Sequence, residues 1–179
     1  QGLIVSQHRS DSFFDSMHKM TGDMLNNRDI CTVWGQTLGS GVYRDASYRS
    51  GDWTCYYQYS SYETSLLFKH DEISNTHVLA HNESIRKTLN DLETGDEYRM
   101  RGRLVDYEMV GLPGGRKTSL VRNDTDNGAC EVLYVESVEI LKSHNQSYRQ
   151  LRTMGLWAFI ASFLTVLGIM AKTVWQSRR

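Results

Sequence analysis

Asn82-Glu83-Ser84-Ile85-Arg86-Lys87-Thr88-Leu89-Asn90-Asp91-Leu92-Glu93-Thr94-Gly95-Asp96 reads as one helix set between two turns. Asn82 can offer its side-chain oxygen to the unpaired N–H groups of a first helical turn. Ile85, Leu89 and Leu92 recur at helical spacing and make one apolar stripe. Gly95 stands just past the end, where left-handed backbone closes many helices. From Glu97 to Glu108 the pattern changes to alternation. Arg99, Arg101 and Arg103 leave on one face, while Tyr98, Met100 and Leu104 turn to the core, as a long strand requires.

Outward from this unit, strands are expected at about 1–8, 30–35 and 52–60 on its N-terminal side. On the other side, strands are expected at about 116–122 and from Cys130 to Leu141. Residues 9–29 are polar and irregular, with Phe13, Phe14, Met17, Met20, Met24 and Leu25 spaced for a short helix. Residues 61–81 have no clean period. The chain's only proline lies in the loop Gly111-Leu112-Pro113-Gly114-Gly115. About six short strands with one central helix predict a mainly β, α+β fold. The expected form is a small OB-like, partly closed β-barrel, or a related sandwich, occupying residues 1–141.

Residues 142–152 form a polar connector, and 153–175 read as a transmembrane helix before a short basic tail at 176–179. Thr153 to Ala171 holds 19 uncharged residues, about 28 Å of helix, close to the hydrocarbon thickness of a bilayer. Trp157 and Trp175 stand near its ends, where indoles favour the headgroup zone. Ala158 and Ser162 form a small-x-x-x-small pair suited to close helix contact. No ionisable residue interrupts Thr153–Ala171, which argues against ion or proton conduction through it. Residues 1–152 carry all 21 acidic and 17 of the 20 basic residues, a net charge of −4. That balance excludes a duplex nucleic-acid binder, which needs a basic excess.

Lys and Arg flank the span equally, three on each side, so the positive-inside rule gives no orientation. The cysteines do better. Cys31 and Cys55 both lie in strand-like segments with Gly39-Ser40-Gly41 between, so neighbouring strands and a disulfide are expected. This places the main domain in an oxidising compartment, and Cys130 is left over. Gln1 opens the sequence, so a removed signal peptide or further residues are expected before it. Three Asn-x-Ser/Thr sequons, at Asn82, Asn123 and Asn145, leave a type I surface membrane protein as the alternative location.

Two segments carry a resemblance. One is Asn75-Thr76-His77-Val78-Leu79-Ala80 with Gly95-Asp96 and Arg101-Gly102-Arg103-Leu104-Val105. The other runs from Thr118-Ser119-Leu120-Val121-Arg122 through Asn123-Asp124-Thr125-Asp126-Asn127-Gly128-Ala129-Cys130-Glu131 to Tyr134-Val135-Glu136. Together they resemble a family of uncharacterised bacterial inner-membrane and envelope proteins, with an N-x-H, GD, RG-x-L-V and S-L-x-R-x-D-T-x-x-G-A-C-E pattern. The match covers about residues 74–141, and residues 1–60 match only loosely. The chain departs in Asp126, where the family tends to have glycine, and in its C-terminal span. The resemblance implies a bacterial inner-membrane protein and carries no mechanism.

Several groups of residues could carry chemistry. Asp124, Asp126, Asn127 and Glu131 offer hard oxygens for Ca²⁺, but their spacing is not that of an EF-hand, and Asp and Asn-Gly residues suit a hairpin turn. Cys130 with His77 could be nucleophile and base, though a cysteine opening an apolar strand is more often buried packing. His77 and His81 would share a helix face as a metal pair, with no third ligand in view. The Arg99, Arg101 and Arg103 stripe could hold an anionic glycan or lipid headgroup; paired with Glu136 and Glu139, it would be an ordinary solvated face. The segment Trp53–Tyr62, with Tyr57 and Tyr59 at its centre, suits a protein–protein surface. These readings predict no catalytic set, metal or cofactor. They predict a non-enzymatic accessory or assembly subunit, single-pass in the bacterial inner membrane, with its periplasmic domain docking on other membrane proteins in a hetero-complex. A glycan- or lipid-binding domain, and then a Cys/His hydrolase, are the alternatives.

Overall fold

The computed structural model describes residues 1–10, 12, 15–124 and 129–177. Phe13 and Phe14 of the expected early helix, and Asp126 and Asn127 of the polar turn, lie outside the described residues. The chain divides into two units, Gln1–Ser143 and His144–Arg179. The first unit opens with β1 (Gly2–His8), α1 (Met17–Thr21), β2 (Arg28–Val33), α2 (Gly35–Gly39), β3 (Ala46–Ser50), β4 (Cys55–Tyr59) and α3 (Tyr62–Leu67). It continues with β5 (Ile73–Ala80), α4 (Glu83–Asp91), β6 (Asp96–Leu104), β7 (Tyr107–Met109), β8 (Leu112–Arg116) and β9 (Glu131–Ser143).

Five strands close a barrel in the order β1-β2-β5-β9-β6. β5 and β9 run parallel, every other pair is antiparallel, and closure between β6 and β1 spans only two residue pairs. This is the expected OB-like Greek-key barrel, with its central helix between the third and fourth barrel strands. Asn82 Oδ1 accepts the Ile85 N–H at 3.0 Å and starts α4. Leu89 and Leu92, both fully buried, then pack on Ile4, Ile30, Val78, Tyr98 and Val135. Arg28 is only 1% exposed and closes the other end of the helix. It donates to Leu92 O (2.5 Å), Asn90 O (3.2 Å) and Gln7 Oε1 (2.8 Å), satisfying carbonyls that a helix end leaves orphaned. In β6 the register slips beside Gly102, and a Cβ there would meet Tyr134 O at 2.0 Å, so only glycine allows the strands this close.

Between β2 and β5 the chain adds a second layer. The β3-β4 hairpin packs Tyr48, Tyr57 and Tyr59 with Phe68 against Leu3 and Val33 of the barrel. Cys31 in β2 and Cys55 in β4 are bonded, with Cα atoms 5.9 Å apart. Their strands belong to different sheets and are not the neighbours that the sequence suggested, so the bond staples the hairpin layer to the barrel.

Three expectations about elements change. Residues 61–81, which showed no period, hold α3 and the central strand β5. The strand expected at 116–122 ends at Arg116 as β8, paired with β7 in its own hairpin. The early helix is α1 alone, and Met20, Met24 and Leu25, expected on its apolar face, are exposed.

The second unit is α5 (Gln146–Ser177), which begins within the expected connector. Among the described residues it is the one helix long and apolar enough to cross a membrane, and none of its apolar window is buried. Trp157 and Trp175 are exposed along it.

Candidate functional site

Side chains from seven parts of the first unit converge on one buried polar cluster. The connection from β1 to β2 supplies Asp15, His18, Asp23 and Asn26, and β1 ends in His8. Asp29 of β2 and His77 of β5 stand opposite each other in the strand register. Trp53 arrives from the β3-β4 turn, Tyr107 and Arg116 from the β7-β8 hairpin, and Cys130 from the approach to β9. The β1–β2 connection and the hairpin close against each other, with Gly111 N–H donating to Thr21 O at 2.9 Å. A Cβ on Gly111 would stand 2.7 Å from that oxygen, so its glycine permits the contact. These two connections flank the face that OB barrels present to ligands.

Asp29 Oδ1 lies 2.5 Å from His77 Nδ1, and both residues are fully buried. Asn26 Nδ2 donates to the same oxygen at 2.7 Å. Arg116 Nη1 lies 3.0 Å from His77 Nε2, and its guanidinium stacks over Trp53 at 5.3 Å. Burial and the Arg116 charge press His77 toward the neutral imidazole. The Asp29 carboxylate and the Cys130 thiol outweigh them and raise its pKa to about 9. Tyr107 donates to both oxygens of Asp23, at 2.8 and 2.9 Å; burial, with the Asp23 charge, pushes its phenol up and keeps it a donor. Asp15 accepts from the His18 N–H at 3.0 Å. Its Oδ2 lies 2.6 Å from His8 Nε2 and 2.7 Å from His18 Nδ1. Burial works against the Asp15 charge, yet these contacts hold its carboxyl below the usual range.

The residues singled out from sequence fall in several places. His77 and Cys130 do meet here: the thiol contributes to the proton affinity of His77, and Cys130 lines a cavity of about 260 Å³ with Asn75, His70 and Cys55. His77 and His81 do not form a pair, because His77 sits in a strand rather than a helix; His81 follows that strand and contacts Tyr134 OH at 2.8 Å. Arg99 and Arg103 reach Glu139 (3.4 Å) and Glu136 (2.9 Å) across the strand pair, all partly or fully exposed. Arg101 is exposed on the same strand. Tyr57 and Tyr59 pack on Phe68, with ring centroids 5.5 and 5.3 Å away, and Tyr57 OH meets His70. Of the turn residues, Asp124 accepts from Ser119, and Glu131 engages Ser74 and Arg122.

Comparison with known protein families, curated proteins and solved structures finds no match. The His8–Asp15–His18 part of the cluster, meanwhile, went unread in the sequence. The signal available was three imidazole and carboxylate side chains within eleven residues of chain.

Proposed function

We propose that the chain is a non-enzymatic accessory or assembly subunit, held in the bacterial inner membrane by α5 with its barrel in the periplasm. It docks on partner membrane proteins to make a hetero-complex. The observation that carries this reading is an exposed apolar rim on the two connections that flank the OB face. Met20, Met24, Leu25 and Val110 are 57–98% exposed there, and the Gly111–Thr21 hydrogen bond pins their two segments together. Soluble surfaces seldom collect large apolar side chains without a partner, and methionines adapt to varied apolar surfaces. The unburied apolar helix and the Cys31–Cys55 disulfide support the membrane and the oxidising side. Extraction from native membranes in mild detergent should recover the chain with fixed, stoichiometric partners. Val110→Glu with Met24→Glu should release those partners without changing the domain's melting. Recovery of the wild-type chain only as a free monomer would refute the reading.

A second reading has one observation of its own. Asp29 lies 2.5 Å from His77 Nδ1, the Cys130 thiol raises the proton affinity of His77, and Cys130 opens to a cavity, while Arg116 Nη1 stands 3.0 Å from His77 Nε2. In a thiol-dependent hydrolase, Cys130 would be the nucleophile and His77 the base oriented by Asp29. Cys130→Ser should then abolish labelling by a small acyl-type electrophile. Equal labelling of the wild type and the variant would dismiss it.

A further inference from the structure

We propose that His8, Asp15 and His18 form a site for one Zn²⁺ ion, with a fourth coordination position open toward solvent at His8. The three donor atoms lie within 4.8 Å of one another. Asp15 and His18 are each about 1% exposed, whereas the His8 side chain is 24% exposed and gives the site its doorway. The His8 and His18 rings lie nearly parallel, centroids 5.6 Å apart, with Asp15 Oδ2 between their inward nitrogens. Tetrahedral zinc, bound at about 2.0–2.2 Å to nitrogen and oxygen, sets its donors roughly 3.3 Å apart. The two contacts of 2.6 and 2.7 Å therefore need to open by well under 1 Å.

Charge balance gives the cation its reason. A buried carboxylate needs a positive or strongly donating partner. Asp29 has His77 at 2.5 Å, and Asp23 has the Tyr107 hydroxyl with Arg116 at 4.0 Å. Asp15 has no Lys or Arg among its partners in the described residues. It has two imidazoles aimed at one oxygen and the His18 N–H on the other, and a metal ion between the rings would supply the positive charge that no Lys or Arg brings. A metal also makes use of the surrounding groups. His18 binds through Nδ1 and turns Nε2 toward the Asp23 carboxylate at 3.9 Å, which a small shift would make the accepting outer partner that ligating histidines usually have. Tyr107 in turn holds Asp23, and the Trp53 edge walls His18 at 5.8 Å.

The donor set selects the ion. Two imidazole nitrogens disfavour Ca²⁺ and Mg²⁺, and the absence of thiolate from the triad disfavours Cu(I). Two histidines and one carboxylate suit Zn²⁺ or Fe²⁺, and an oxidising compartment favours the redox-inert ion. Three protein ligands with one open position is the arrangement in which zinc binds water or an exogenous ligand.

The test uses tag-free full-length protein in detergent, stripped with chelator and dialysed, with Zn²⁺ alone as the probe. Calorimetry and elemental analysis should find one ion per chain, released by chelator, and affinity should fall with pH as protons compete for the imidazoles. His8→Gln, at the exposed edge, and Asp15→Asn should each weaken binding by on the order of 100-fold or more, beyond the loss typical of outer-shell changes. His81→Gln, outside the cluster, should bind as the wild type does. Melting of the stripped His8→Gln protein should match the stripped wild type, separating lost binding from lost folding. No saturable Zn²⁺ binding by the wild type, or equal binding by folded His8→Gln, would overturn the proposal.

Discussion

Removing the carboxylate beside His77 should erase a specific dependence of stability on pH. His77 titrates near 9 in the folded protein and near 6.5 when exposed. The folded state therefore holds a proton that the unfolded chain gives up between these values. That stabilisation is fully present below about pH 6.5 and is lost as pH rises through 9. A difference of about 2.5 units corresponds to roughly 3 kcal/mol. The groups facing His77 are Asp29 at 2.5 Å, Arg116 at 3.0 Å and the Cys130 thiol. Of these, Asp29 and the thiol raise its proton affinity, and Arg116 lowers it. Urea unfolding of the full chain in detergent, followed from pH 6 to 10, should show stability falling across this window. Asp29→Asn should lower stability by about 3–5 kcal/mol at pH 6.5, the usual effect of breaking a buried pair, and should flatten the slope. His77→Gln should flatten it as well, and ring resonances of His77 should report the titration directly. A His77→Gln protein with the wild-type slope, or a folded His77 titrating at or below 6.5, would refute the reasoning.

Two further outcomes follow from the same interior. Arg28→Met takes the guanidinium donor from Asn90 O and Gln7 Oε1 and leaves Leu92 O only the longer 3.4 Å bond from Gln7 Nε2, and should cost about 3 kcal/mol with loss of amide protection in α4. Cys55→Ser opens a loop of 24 residues and should cost about 3 kcal/mol on a chain-entropy estimate. It should lower the melting temperature of the first unit by roughly 10 °C, and unchanged melting in either variant would count against the packing described.

The barrel was legible where chemistry matched ordinary burial. The Asn82 cap and the Ile85-Leu89-Leu92 stripe each obey a local rule and appear in the structure, and the alternation after Gly95 holds through Arg101, whereas Leu104, expected in the core, is exposed where β6 ends. The Cys31–Cys55 bond was legible from spacing, although its strands lie in separate sheets. β5 was not, because Ser74-Asn75-Thr76-His77 lacks apolar alternation. Asn75 and His77 are nevertheless buried, since the interior beside them is polar and hydrogen-bonded. The same inversion hid the candidate site. In residues 15–29 the acids, amides and His18 turn inward while Met20, Met24 and Leu25 face out, the reverse of what side-chain hydropathy leads one to expect. A polar residue's burial depends on partners far along the chain, and no local period records them.

The proposed docking role depends on α5 lying in lipid. After alkaline carbonate washing of native membranes, the full chain should stay in the pellet and leave only with detergent. A chain truncated after Ser143 should be released to the wash. Full-length protein in the aqueous fraction would contradict the anchor, and with it the docking role on membrane partners.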